Sequence, residues 1–166
     1  MTPEFSRHLP LARLPDQGRE ERLKANPDEC AALARRFGIP AVNRLEAVVR
    51  LQPEAGGGVS VSGRLSAEVV QECVVTLAPV TQAVEEEVAL RILGPEEEPS
   101  DDPDAPDEIL AEGDSVDLGE ALAEQLSLAL DPYPRAPGAA LPGGEEGPDA
   151  PPTGPFAALA AFKKGR

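Results

Sequence analysis

The sequence predicts an α+β domain: an antiparallel β-meander, open or curled into a barrel-like form, flanked by two helices. Three observations predict it. A chain of 166 residues with 41% hydrophobic content fits one domain with tails rather than two full domains. Between Asn43 and Ile92, apolar residues recur with a period near two, in runs joined by short connections. On either side of that region lie two stretches with helical spacing, each behind residues suited to cap a helix.

The first helix starts at Asn26-Pro27-Asp28-Glu29. Asn26 can accept from the first-turn amides, proline suits the first helical position, and Glu29 can reach back as in a capping box. Cys30, Leu33, Ala34 and Phe37 form the apolar stripe, Arg35 and Arg36 fall in the last turn, and Gly38-Ile39-Pro40 stops it. From Asn43 the period changes. Leu45, Ala47, Val49 and Leu51 alternate with polar neighbours, and after Pro53–Gly58 the alternation resumes at Val59, Val61 and Leu65, a hairpin pattern. Residues Val69–Leu77 are apolar on both faces and read as a central strand, with Cys73 a small buried hydrophobe inside it. Val84, Val88, Leu90 and Ile92 supply one more strand with a wet face.

Residues 96–117 hold eleven acids and no base. Such a segment lacks the apolar surface to fold by itself, so a disordered acidic loop is expected over 95–114. The second helix then starts at Asp117, with Glu120 placed to complete a capping box and Leu118, Ala121, Leu122, Gln125, Leu126, Ala129 and Leu130 on its inner face. Residues 132–155 contain eight Pro and five Gly, an extended linker by composition. The expected organisation is one domain over residues 1–131 and a linker with a docking tail over 132–166. Phe156, Leu159 and Phe162 in that tail have helical spacing, in a segment too short to be helical unless docked.

Composition excludes several classes of function. No run approaches the roughly 20 apolar residues of a membrane span, and the first residues, MTPEFSRHLP, have no signal-peptide pattern. The two cysteines, Cys30 and Cys73, form neither a disulfide framework nor a metal-ligand spacing, which points to a reducing, cytoplasmic setting. The single histidine, His8, near a terminus expected to be mobile, rules out a histidine metal cluster and disfavours a catalytic triad. No cofactor, metal or small-molecule substrate is expected. The composition favours a binding protein over an enzyme.

The formal net charge is −15 at pH 7, yet residues 1–50 hold nine Lys/Arg against seven acids. Arg13, Arg19, Arg22 and Lys24 are therefore candidate phosphate contacts, with a solvated face as the plain alternative. The acidic loop offers a surface to a basic partner; it lacks the pattern of a calcium loop.

Several blocks together resemble the YceD family of large ribosomal RNA subunit accumulation proteins. They are Val69–Val80 with the following Glu85–Glu87, Ser115–Glu120, Glu124–Arg135 and Gly154–Leu159. Their order and spacing carry the resemblance from about Asn26 to the C-terminus. It implies a non-catalytic bacterial or plastid protein associated with synthesis or retention of large-subunit ribosomal RNA. The partner would be ribosomal RNA or an assembly intermediate of the large subunit. The alternative is an acidic holding chaperone or binding partner for a basic ribosomal protein, since a gene for one often neighbours the family's own. Many relatives carry a second cysteine three positions after the one matching Cys73, and more after the second helix. Here Thr76 and a cysteine-free stretch stand in those places, so no zinc site is carried over. The residues expected to dock the partner are Arg13, Arg19, Arg22, Lys24, Tyr133 and Arg135, with Phe156, Leu159 and Phe162 as a second, tethered contact; a tail folded back onto its own domain, or disordered, is the equal alternative.

Overall fold

The structure is a computed structural model and describes residues 4–140. Its elements in chain order are β1 (His8–Pro10), β2 (Arg19–Lys24), α1 (Pro27–Phe37), β3 (Ala41–Pro53), β4 (Val59–Glu72), β5 (Pro79–Leu93), β6 (Asp107–Leu110), β7 (Ser115–Asp117) and α2 (Leu118–Ala129), with a single 3-10 turn at Leu11–Arg13. Five strands form one sheet in the order β2-β3-β4-β5-β6, and β1 pairs with β7 in a separate ribbon. The sheet is antiparallel from β2 to β5, while β6 joins β5 in parallel. The class is thus α+β with a meander at its centre. Its end strands, β2 and β6, are not paired with each other, so the sheet does not close into a barrel among the described residues.

Local signals built α1 as expected. Asn26 accepts from the Glu29 amide at 2.9 Å, the Glu29 carboxylate accepts from the Asn26 amide at 2.8 Å, and Gly38 ends the helix at φ 65°. The start of α2 differs from expectation by half. The Asp117 carboxylate accepts from the Gly119 and Glu120 amides, but the Glu120 carboxylate turns away to Arg36, at 2.6 and 2.9 Å, and clamps α2 to α1. A bidentate arginine outcompetes a backbone amide for that carboxylate.

The central strands are longer and fewer than the sequence pattern predicts. Val59–Glu72 is one strand, because Leu65, Ala67, Val69 and Gln71 continue the inward alternation without a break. The chain breaks instead at Cys73–Ala78, so Cys73 sits in the β4–β5 connection and not in a central strand. Its side chain is still fully buried. β2 has only one buried residue, Leu23. Its six residues are held by their ladder to Leu51–Glu46 of β3, a non-local pairing that leaves little trace in local pattern. The acidic stretch likewise contains β6, where Ile109 packs against the core beside Ile92 of β5. Arg91 gathers Glu54, Glu97 and Glu108 at 2.8, 2.7 and 3.6 Å, so part of the acidic charge is neutralised within the fold.

The core lies between the inner sheet face and the two helices, around Leu33, Leu45, Leu51, Leu65, Ile92, Leu122 and Leu126. The N-terminal segment belongs to it. Phe5 is fully buried, the Leu118 amide donates to the Arg7 carbonyl at 3.1 Å, and Asp117 takes the Ser6 hydroxyl and the Arg7 amide at 2.6 and 2.7 Å. The segment carrying His8 is therefore anchored, contrary to its expected mobility. Residues 131–136 also pack, since the Val74 amide donates to the Pro134 carbonyl at 2.9 Å and Gln71 Nε2 to the Asp131 carbonyl at 2.9 Å. None of the described helices is long and apolar enough to cross a membrane.

Candidate functional site

The anchored N-terminal segment runs beside the outer edge of β2, whose one neighbour among the described strands is β3. Between them lies an open groove of about 530 Å³, lined by Arg7, His8, Arg13, Arg19 and Arg22 with Glu21 as its one acid. Three of the arginines expected to contact a partner thus converge: Arg13 from the 3-10 turn, and Arg19 and Arg22 from β2.

Ion pairing separates their roles. Arg7 is committed to the fold: it forks onto Glu29 at 2.6 and 2.8 Å, donates to the Ser6 and Lys24 carbonyls, and lies 4.6 Å from the Phe5 ring centroid. The Glu29 pairing raises the Arg7 pKa and lowers that of Glu29, each chiefly through their shared hydrogen bonds. Arg19 pairs with Glu21 on its own strand. Arg13 and Arg22 are exposed and make no ion pair among the described residues. They supply the groove's positive charge outside ion pairs, with Arg22 within Coulombic reach of Glu46.

His8, 59% exposed at its side chain, lies with Nε2 3.8 Å from Asp117 Oδ2. Burial works to raise the Asp117 carboxyl, but hydrogen bonds from Ser6, Arg7 and Glu120 and the charge of His8 hold it below the usual carboxylate range. The Ser6 hydroxyl donates straight to Asp117. In a nucleophilic triad the histidine stands between hydroxyl and carboxylate; here the carboxylate is central, as suits a helix cap.

Basic residues that sequence reasoning missed extend this surface onto the solvent face of the sheet. Arg22 is in register with Val48 of β3, and Val48 with Arg64 of β4. Two strand spacings, about 10 Å, therefore separate the Arg22 and Arg64 backbones. Arg50 and Arg64 line a second concavity of about 430 Å³ with Ser62, Glu20 and Glu87. The outward positions of the alternating pattern were the available signal.

The other expected contacts fall elsewhere. Lys24 pairs with Glu46 across the β2–β3 ladder at 2.9 Å, an interaction that leads the lowering of the Glu46 pKa. Tyr133, 72% exposed, and Arg135 flank Pro134 beside the Cys73 turn and do not line the basic groove. Phe156, Leu159 and Phe162 lie outside the described residues.

That turn has chemistry of its own. Polar groups of Ala136, Thr76 and Val75 around the Cys73 thiol, of which the Thr76 amide donates to the sulfur at 3.4 Å, outweigh burial and lower its pKa to about 6. A thiol lowered in the folded state contributes stability above its unfolded pKa, near 8.5, and loses it as pH falls through about 6. The stability advantage of wild type over Cys73→Ala is therefore expected to grow from pH 5.5 to pH 9, measured by chemical denaturation of both proteins. Cys30, whose thiol burial pushes up, is common to both and cancels. A pH-independent difference would show that the donors do not favour the thiolate. No group of three or more His, Cys, Asp or Glu among the described residues is arranged to hold a metal ion.

An open meander backed by two helices, with a cationic groove along one edge, defines the class as α+β. The chain belongs to the YceD family: the family model described as "Large ribosomal RNA subunit accumulation protein YceD" matches residues 61–163. That range starts within β4 and includes Arg64, Cys73 and α2, while the groove arginines precede it. No curated protein and no solved structure matches the chain.

Proposed function

We propose that this protein supports accumulation of large-subunit ribosomal RNA by binding an assembly intermediate of the large subunit, without catalysing a reaction on it. The observation that carries the reading is the pair of guanidiniums without an ion pair among the described residues, Arg13 and Arg22, in an open groove of a chain whose net charge is −15. Long-range repulsion opposes RNA, so binding depends on a local patch at close range, where screening by salt shortens the reach of distant acids to about 8–10 Å. Guanidinium suits that task, since its fork matches a phosphate. The setting is a reducing cytoplasm.

A second reading has its own observation. Glu85, Glu86 and Glu87 are consecutive and exposed on β5, upstream of Leu90–Leu93, where β6 pairs. Their edge of the sheet is charged and unpaired among the described residues. An acidic partner for a basic ribosomal protein would use that edge or the acidic loop, with electrostatic complementarity as its working principle.

Depletion of the protein tests the first reading. The expected result is a selective fall in the ratio of large- to small-subunit ribosomal RNA, restored by wild type. An unchanged ratio with normal growth would overturn it.

A further inference from the structure

We propose that a groove at the C-terminal ends of α1 and α2 seats this chain's own C-terminal segment, residues 156–166, whatever the basic groove binds. The groove, about 430 Å³, shares no lining residue with the basic groove. Phe37 and Ile39 from the end of α1, Leu130 from the end of α2 and Val74 from the β4–β5 turn make its apolar lining. Val74 is 48% exposed and Leu130 partly exposed, so apolar surface is left facing water. Two further features point to an occupant with donors and positive charge.

The first is Gln71, 6% exposed, which also lines the groove. Its Nε2 is satisfied by the Asp131 carbonyl, but its buried Oε1 accepts from nothing among the described residues. Exchanging the two amide atoms would set oxygen against that carbonyl, so the open valence is an acceptor in need of a donor. The second is electrostatic. The charged residues of the lining, Glu72 and Asp131, are both acids, and two helix C-termini direct their carbonyl ends here.

The segment Phe156-Ala-Ala-Leu159-Ala-Ala-Phe162-Lys163-Lys164-Gly-Arg166 fits those demands. Phe156, Leu159 and Phe162 would fall on one helical face, and the basic end matches the acids. A segment this short gains helix only against a surface. The tether also fits. Pro132 and Pro134 line the groove itself, and residues 141–155 connect the described chain to Phe156. These fifteen residues, five of them Pro and four Gly, span about 20 Å as a flexible coil and about 45 Å when extended, so the tether can reach back to the groove. Return to the starting point is therefore intramolecular, at an effective concentration in the millimolar range. This seat is the alternative to the outward, partner-binding role expected of the tail from sequence.

The test uses the full chain with Lys164→Cys carrying a nitroxide; the native cysteines, both buried, escape labelling under native conditions. Amide signals of Phe37–Ile39, Glu72–Val74 and Ser127–Leu130 are expected to lose intensity selectively. They should recover in Phe156→Ser/Phe162→Ser and, from the groove side, in Val74→Asp. Both variants change exposed or terminal positions, and unchanged dispersion of the remaining amides checks that they stay folded. No selective loss at these amides overturns the proposal. A sample mixing isotope-labelled, nitroxide-free chains with nitroxide-bearing unlabelled chains reports a second copy. Loss appearing only there would overturn it in favour of an exchange between copies.

Discussion

Arg13→Glu/Arg22→Glu is expected to lower affinity for large-subunit ribosomal RNA by about 100-fold or more while leaving the unfolding free energy nearly unchanged. A hydrogen bond to a charged group is worth about 1.5–3 kcal/mol, so two such bonds account for about 3–6 kcal/mol. At about 1.4 kcal/mol per tenfold, that is at least two orders of magnitude, and reversal adds repulsion of phosphate. Neither guanidinium makes an ion pair among the described residues, so little fold energy is removed with them. The salt dependence should weaken in parallel, its slope shrinking by about 0.7–0.9 for each phosphate no longer neutralised.

A control isolates the groove from bulk charge. Arg35→Glu/Arg44→Glu changes the net charge by the same amount, from −15, at positions outside the lining of either basic concavity. It should leave binding within a few-fold of wild type. Equal losses in both double variants would assign the effect to net charge. A groove variant that binds like wild type would remove the groove from the mechanism, and the acidic edge at Glu85–Glu87 would become the surface to test against a basic protein.

Local chemistry explains which features were legible. The capping box of α1 and its terminating Gly38 act within one or two turns, so Asn26, Glu29 and Gly38 announced them. Asp117 was visible as a cap but not as the anchor of Ser6 and Arg7, more than a hundred residues away in sequence. β2 and β6 were hidden for the same reason. Each exists through a ladder to a distant strand and buries little, so composition dominated their appearance: a basic cluster in one case, an acidic loop in the other. The site shows the limit at the level of single side chains. Sequence placed Arg13, Arg19, Arg22 and Lys24 together, but only the fold shows that Arg19 and Lys24 spend their charge on Glu21 and Glu46. Arg64 reaches the same surface through the register of β4 against β3, which no local window contains.

Gly63→Ala is expected to destabilise the protein severely, and Gly63→Val to prevent accumulation of folded protein. Gly63 lies opposite Val49 in the β3–β4 ladder. A Cβ there would lie 2.1 Å from the Val48 carbonyl oxygen and 2.7 Å from the Val49 Cα. Both obstacles are backbone, so no rotamer change relieves them and the two central strands must separate. The need is for close approach rather than for unusual backbone angles, since Gly63 does not have a positive φ. Losses above about 4 kcal/mol are exceptional and come from mechanisms of this kind, against a total stability of about 5–15 kcal/mol for a domain.

Gly113→Ala makes the comparison sharp. Gly113 has φ 63° with open space around its Cβ position, so alanine should cost only the left-handed penalty of about 1–2 kcal/mol. Urea denaturation of both variants separates the two causes, and a Gly63→Ala protein as stable as Gly113→Ala would contradict the strand contact. The functional consequence follows from place. Arg50 and Arg64 flank the Val49–Gly63 pair, in register with Ser62 and Val48. Splaying β3 from β4 would therefore dissolve the outer-face extension of the basic surface without removing a single charge. Loss of RNA binding in Gly63→Ala at temperatures where it remains folded would show that the spacing of those guanidiniums, and not their number alone, sets affinity.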